Sequence, residues 1–258
     1  MFRSFLRPVL IAFLVAIIVA LPAKAQLPQK TVLPEKILFI GNSYTGQVRS
    51  MVTKFFAAST HRKIRLEFIT PGGRTLKQHG ETTQTMKRIS DGGWDMVVLQ
   101  DQSQTPAVFP EKFLNASKGL NKVITESGAK TAYYQTWGRR DGDKQNAGRF
   151  GTYTKMQDAL TKAYTQAANR DKALLIPVGE VWRALRKSDA KLGRELYKGD
   201  GSHPSAKGAY LVACCFYAVL TGGDPLSVKF DGGLPAKQAR AIREMTRAVV
   251  RGRVPVRN

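Results

Sequence analysis

Cysteine is nearly absent from this chain: two residues in 258, Cys214 and Cys215, and they are neighbours. Adjacent cysteines rarely meet disulfide geometry and these lie in an apolar stretch, Ala209 to Leu220, so they read as small buried hydrophobes rather than a redox pair or metal site. Histidine is almost as scarce, with three residues, and no His/Cys/Asp cluster has metal-ligand spacing. The sequence also lacks a phosphate-binding glycine loop and a Gly-x-Ser-x-Gly elbow, so neither a metal nor a cofactor is expected. Acidic residues are few, 19 against 41 basic ones. Only one apolar run is long, and no second one approaches the length of a membrane span.

That run, Val9 to Leu21, follows Arg3 and Arg7 and precedes Ala23-Lys24-Ala25. The pattern predicts a signal peptide over residues 1–25, a short leader over 26–35 and a single domain over 36–258. A secreted or periplasmic protein is therefore expected, with no membrane span after cleavage. Residues 1–25 hold three of the 41 basic residues and no acidic one, so the remaining chain carries 38 basic against 19 acidic residues, a net charge of +19. Such a surface favours electrostatic association with anionic envelope polymers. Nucleic acid is not expected, since no base-reading motif occurs and export is expected.

Along the chain, apolar runs alternate with helical periodicity. Strands are predicted at Ile37–Ile40, a continuous apolar run of the kind that marks a strand buried on both faces, at Ile64–Phe68, marked by Ile64, Leu66 and Phe68, and at Met96–Leu99, Lys130–Thr136 and Ala173–Val178. Helices are predicted at 47–58, Leu76–Ile89, Pro110–Ser127, Phe150–Asn169, Val181–Leu185, Ser205–Leu220 and Ala236–Arg251. This alternation implies an α/β protein, a three-layer α/β/α sandwich around a five-stranded parallel sheet. The loop from Gly138 to Gly148 reads as the least ordered internal stretch, and Val254 to Asn258 are expected to fray. Arg240, Arg243, Arg247 and Arg251 recur at helical spacing, a basic face whose default reading is solvation.

Ligands of open parallel sheets bind beyond the carboxyl ends of the strands. Gly41-Asn42-Ser43-Tyr44-Thr45 sits there, after the first strand and before a helix. Ser43 is thus either a helix cap or a nucleophile whose developing oxyanion meets helical N–H groups. The second motif, Asp200-Gly201-Ser202-His203-Pro204, favours the nucleophile. An aspartate three residues before a histidine can hold its Nδ1–H and leave Nε2 free to take a serine proton.

With both motifs in view, the chain resembles the SGNH, or GDSL-type, hydrolases. Ile37 to Ser43 matches the block that supplies the nucleophile, and Asp200 to Pro204 the block that supplies the acid and base. Pro71-Gly72-Gly73-Arg74-Thr75 resembles the second block, whose glycine N–H joins the oxyanion hole; Gly73 is the candidate, with Gly72 beside it. Leu99-Gln100-Asp101-Gln102-Ser103 stands at the third block without its usual asparagine, so Gln100 is the expected amide donor and Gln102 the reserve. Asn42 replaces the name-giving aspartate. A bacterial branch with Gly-Asn-Ser, a Gln-rich third block and an Asp-Gly-Ser-His-Pro-Ser ending is the most similar.

The resemblance implies a flavodoxin-like SGNH fold and a serine esterase in which Ser43, His203 and Asp200 are catalytic. Ser43, Gly73 and Gln100 would hold the oxyanion. The expected substrate is an acylated small molecule or polysaccharide, with acetyl as the acyl group. Further substrate contacts are expected at Asn42, Gln102, His79 and Trp137; the last, with Tyr133 and Tyr134, forms either a sugar platform or core. Two other functions stay open: an O-acyltransferase using the same residues, and a binding protein for anionic glycans that has lost turnover.

Overall fold

The computed structural model describes residues 33–59 and 64–253. The expected signal segment, most of the leader and the residues from Val254 onward lie outside the described residues. Five strands form one sheet: β1 (Lys36–Ile40), β2 (Arg65–Ile69), β3 (Met96–Leu99), β4 (Lys130–Tyr134) and β5 (Leu174–Ile176). Their order is β2-β1-β3-β4-β5 and every pairing is parallel. Eleven helices accompany them among the described residues. These are α1 (Ser43–Ser59), α2 (Leu76–Gly80), α3 (Thr83–Ser90), α4 (Thr105–Val108), α5 (Pro110–Glu126) and α6 (Ala147–Phe150), then α7 (Tyr153–Asp171), α8 (Val178–Ser188), α9 (Ala190–Glu195), α10 (Ala206–Thr221) and α11 (Ala236–Arg253).

The strand side chains alternate between two cores. Ile37, Phe39, Met96, Val98, Ala132 and Tyr134 pack with α1, α8, α10 and α11. Leu38, Ile40, Val97, Leu99 and Tyr133 pack with α5 and α7 on the opposite face. Because both faces are covered, the central strands β1 and β3 are apolar without a polar stripe, which is why they stand out in the sequence. Strand order reverses between β1 and β3, whose last residues, Ile40 and Leu99, are in register. Gly41 and Gln100 therefore leave the sheet side by side, at the switch point where open α/β sheets place their ligands.

Helix ends depart from the sequence reading where a side chain caps them. The first helix starts at Ser43, four residues early, because Asn42 Oδ1 accepts the Tyr44 N–H at 3.1 Å. The helix expected over Leu76–Ile89 is two helices: a capping box of Thr75 and Gln78 opens α2, and the chain breaks after Gly80 before α3 resumes. The 138–148 loop is anchored rather than loose. Asp143 is fully buried within it and accepts from Arg139 Nη1 (3.1 Å), Gln104 Nε2 (2.8 Å), Asn146 Nδ2 (2.8 Å) and Gln145 N (3.2 Å).

Arginines on α11 form a paired row rather than a free basic face. Arg240 meets Glu244, Arg243 meets Asp231, and Arg247 and Arg251 both approach Asp224. Among the described residues no helix is long and apolar enough to cross a membrane.

Candidate active site

The turn that carries Ser43 is held from three sides. Gln100 is fully buried, and its Oε1 accepts from Asn42 N at 3.0 Å and Thr45 Oγ1 at 2.7 Å. Its Nε2 donates to Asn42 Oδ1 at 3.1 Å and to the Asp101 carbonyl. With both amide hydrogens committed, Gln100 has none left for an oxyanion, contrary to the sequence reading; it staples β3 to the turn after β1. A Cβ on Gly41 would lie 2.5 Å from Gln100 Oε1 and 2.4 Å from Thr45 Oγ1, so this close approach requires glycine.

Asn42, expected to touch substrate, is also buried; its Nδ2 donates to the Arg74 carbonyl at 3.0 Å and ties the turn to the β2 loop. His79 lies behind the same turn with no exposure. Its Nε2–H donates to the Gly41 carbonyl at 2.8 Å, and burial holds its pKa below the usual imidazole value, so it is a neutral strut and not a substrate contact.

Ser43 itself is half-buried at the first position of α1, where a backbone N–H has no acceptor within the helix. Its Oγ lies 2.9 Å from His203 Nε2, although 160 residues separate the two in sequence. His203 Nδ1 lies 2.6 Å from Asp200 Oδ2. An ionised carboxylate only accepts, so Nδ1 carries the proton and Nε2 presents its lone pair to the serine hydroxyl. Burial raises the Asp200 pKa, but the N–H groups of Ser202 (2.9 Å) and His203 (3.0 Å) together with the imidazole outweigh it, and the carboxyl stays below its ordinary range.

Aromatic rings hold this Asp–His loop in place. Trp137 is fully buried between Tyr44, 4.8 Å away, and Trp182, 4.0 Å away, both nearly parallel to it. Its Nε1–H donates to the Ser202 carbonyl at 3.0 Å. Both ring faces are covered, so Trp137 is no sugar platform, and Tyr133 and Tyr134 are buried as well. The Tyr44 hydroxyl lies 2.6 Å from Ser202 Oγ, and its ring meets His203 edge-on at 5.3 Å. Arg140 N donates to the Gly201 carbonyl at 2.8 Å, adding a backbone link from the anchored loop.

Three donors named by the sequence reading stay uncommitted. Gly73 is exposed, has φ of 68° and makes no backbone hydrogen bond through its N–H among the described residues. Gln102 is held by its oxygen, which accepts from Gln104 N at 2.7 Å and Thr105 N at 3.2 Å. Among the described residues its Nε2 has only Ser103 Oγ and Gln104 Oε1, both at 3.5 Å, so the amide hydrogens are available. The N–H of Ser43 is the third.

Sequence reasoning missed Asp101, the aspartate between the two glutamines. It is buried; its Oδ1 accepts from Leu76 N at 2.9 Å and Gln102 N at 2.6 Å, joining the Gly73 and Gln102 arms. Its Oδ2 has no partner among the described residues, and burial raises its pKa to about 6. No group of three or more His, Cys, Asp or Glu side chains able to hold a metal occurs among the described residues.

No family model matches the sequence, and no curated protein matches it. Solved structures do match. A Slackia heliotrinireducens protein described as an SGNH hydrolase is 28% identical, with a TM-score of 0.62, over 72% of this chain and 98% of that one. A DUF4886 family protein from Bacteroides uniformis is 18% identical, with a TM-score of 0.66, over 83% of this chain and 94% of that one. An acetyl xylan esterase is 14% identical, with a TM-score of 0.53, over 71% of this chain and 98% of that one.

Proposed function

Because the chain belongs to the SGNH hydrolase superfamily, we propose that it is a serine esterase that removes acyl groups, acetyl above all, from carbohydrate. The observation that carries this reading is the continuous relay from Ser43 through His203 to Asp200, at 2.9 and 2.6 Å, at the sheet's switch point. His203 Nε2 takes the Ser43 proton as Oγ attacks the ester carbonyl, and Asp200 stabilises the imidazolium. The developing oxyanion is met by the N–H groups of Ser43 and Gly73 and the Gln102 amide. The imidazolium then returns its proton to the leaving alcohol. Water, activated by the same imidazole, releases the acid from the acyl-serine. The resemblance in fold to an acetyl xylan esterase supports the acyl-sugar choice.

The proposed site of action is the periplasm or outside the cell, on the strength of Arg3, Arg7, the Val9–Leu21 run and Ala23-Lys24-Ala25. The charge of the chain supports residence near anionic envelope polymers. Hydrolysis of p-nitrophenyl acetate tests the chemistry: Ser43→Ala is expected to lower kcat by ~10⁴- to 10⁶-fold. An equal rate in the variant removes Ser43 from the reaction.

A further inference from the structure

A cleft of about 430 Å³ opens between α1 and the start of α10, lined by Gln47, one helical turn beyond Ser43, and by Pro204, which follows His203. One wall is the stripe of α1 that begins at Ser43: Gln47, Met51 and Lys54 follow at successive turns. The other wall begins at Pro204, the residue after His203, and includes Lys198, whose N–H donates to the His203 carbonyl at 2.8 Å. Met51 and Phe230 contribute apolar surface. Two ammonium groups border the cleft. Lys198 Nζ donates to Gln47 Oε1 at 2.7 Å, and neither lysine pairs with a carboxylate among the described residues. The nearby Asp231 carboxylate is already held by Arg243 Nη1 at 2.7 Å.

Ester cleavage assigns this side of the serine a role. The leaving alcohol takes its proton from His203 Nε2, so the alcohol half lies on the histidine side, while the carbonyl oxygen turns toward Ser43 N and Gly73. On the esterase reading above, we propose that this cleft is the alcohol subsite and selects a carboxylate-bearing oligosaccharide, an acylated polyuronate. Ring faces would lie on Met51 and Phe230, hydroxyls would meet Gln47, and carboxylates would meet the lysines. At a rise of 1.5 Å per residue, Gln47 stands ~6 Å and Lys54 ~16 Å along α1 from Ser43. A single sugar therefore reaches Lys198, and only an oligomer reaches Lys54.

The test compares acetate release from O-acetylated tetragalacturonic acid with release from the same oligomer carboxyl-reduced to galactose. Each exposed lysine contributes at most about fivefold, so the wild type is expected to prefer the acid by about tenfold in kcat/KM, through KM. High salt compresses the preference. Lys54→Arg retains it, Lys54→Ala lowers it about threefold, and Lys54→Glu brings it to one or below. A preference near one in the wild type, or one unmoved by Lys54→Glu, overturns the assignment. Loss of turnover on both oligomers and on p-nitrophenyl acetate counts against the esterase reading instead. Calorimetric binding of tetragalacturonic acid against maltotetraose then decides the cleft: selective binding that Lys54→Glu abolishes sustains it, and equal or absent binding refutes it.

Discussion

Replacing each of the two glutamines after β3 by alanine separates a structural amide from the one proposed to meet the oxyanion. Gln100→Ala strips the acceptor from Asn42 N and Thr45 Oγ1 inside a buried turn. Each group left unsatisfied there costs ~1–3 kcal/mol, so a loss of ~2–6 kcal/mol is expected. For a domain of this size that corresponds to a Tm lowered by roughly 4–24 °C. Gln102→Ala removes only a cap on the partly exposed start of α4, worth ~1 kcal/mol, so its Tm moves by a few degrees. Its kcat is expected to fall ~10²- to 10³-fold, the usual cost of one oxyanion donor, with KM little changed. Scanning calorimetry and Michaelis kinetics on p-nitrophenyl acetate read both quantities. A Gln102→Ala enzyme with wild-type kcat refutes the reasoning, and so does a Gln100→Ala protein of unchanged Tm.

Two further perturbations probe the supports of the site. Asp101 has its carboxyl raised to about 6, so the fold binds a proton more readily than the unfolded chain between about pH 4 and 6, and stability falls as pH rises through that window. Asp101→Asn keeps the acceptor for Leu76 N and Gln102 N without the charge; by calorimetry it is expected to be ~1–3 kcal/mol more stable than wild type at pH 8, with the gain vanishing near pH 4. A gain independent of pH contradicts this. Trp137→Ala opens a cavity between Tyr44 and Trp182 and is expected to cost ~3–5 kcal/mol. Trp137→Phe, losing mainly the bond to the Ser202 carbonyl, should cost ~1 kcal/mol by urea titration, and equal losses in the two variants would show that the stack carries nothing.

The sheet was legible because strands buried on both faces leave unbroken apolar runs such as Ile37–Ile40 and Met96–Leu99. The relay was legible because local spacing places Asp200 next to His203, and a strand end places Ser43 at the switch point. Illegible were roles decided by partners far away in sequence. Gln100 and Gln102 look alike in the chain, and only the β1–β3 pairing consumes one amide on a turn 58 residues away. Trp137 and His79 looked available to substrate because the rings and carbonyls that bury them come from other elements. Asn42 resembled a motif residue, and its capping role appeared only with the backbone. The Gly138–Gly148 loop, rich in glycine and charge, gave no sign that one buried carboxylate, Asp143, gathers it.

The most direct measurement is the site and rate of labelling by a fluorophosphonate, followed by mass spectrometry of the digested protein. An activated hydroxyl predicts one adduct, on Ser43, formed far more slowly in His203→Ala and absent in Ser43→Ala. An unlabelled wild type, an adduct elsewhere, or equal labelling in His203→Ala would contradict the relay of Ser43, His203 and Asp200.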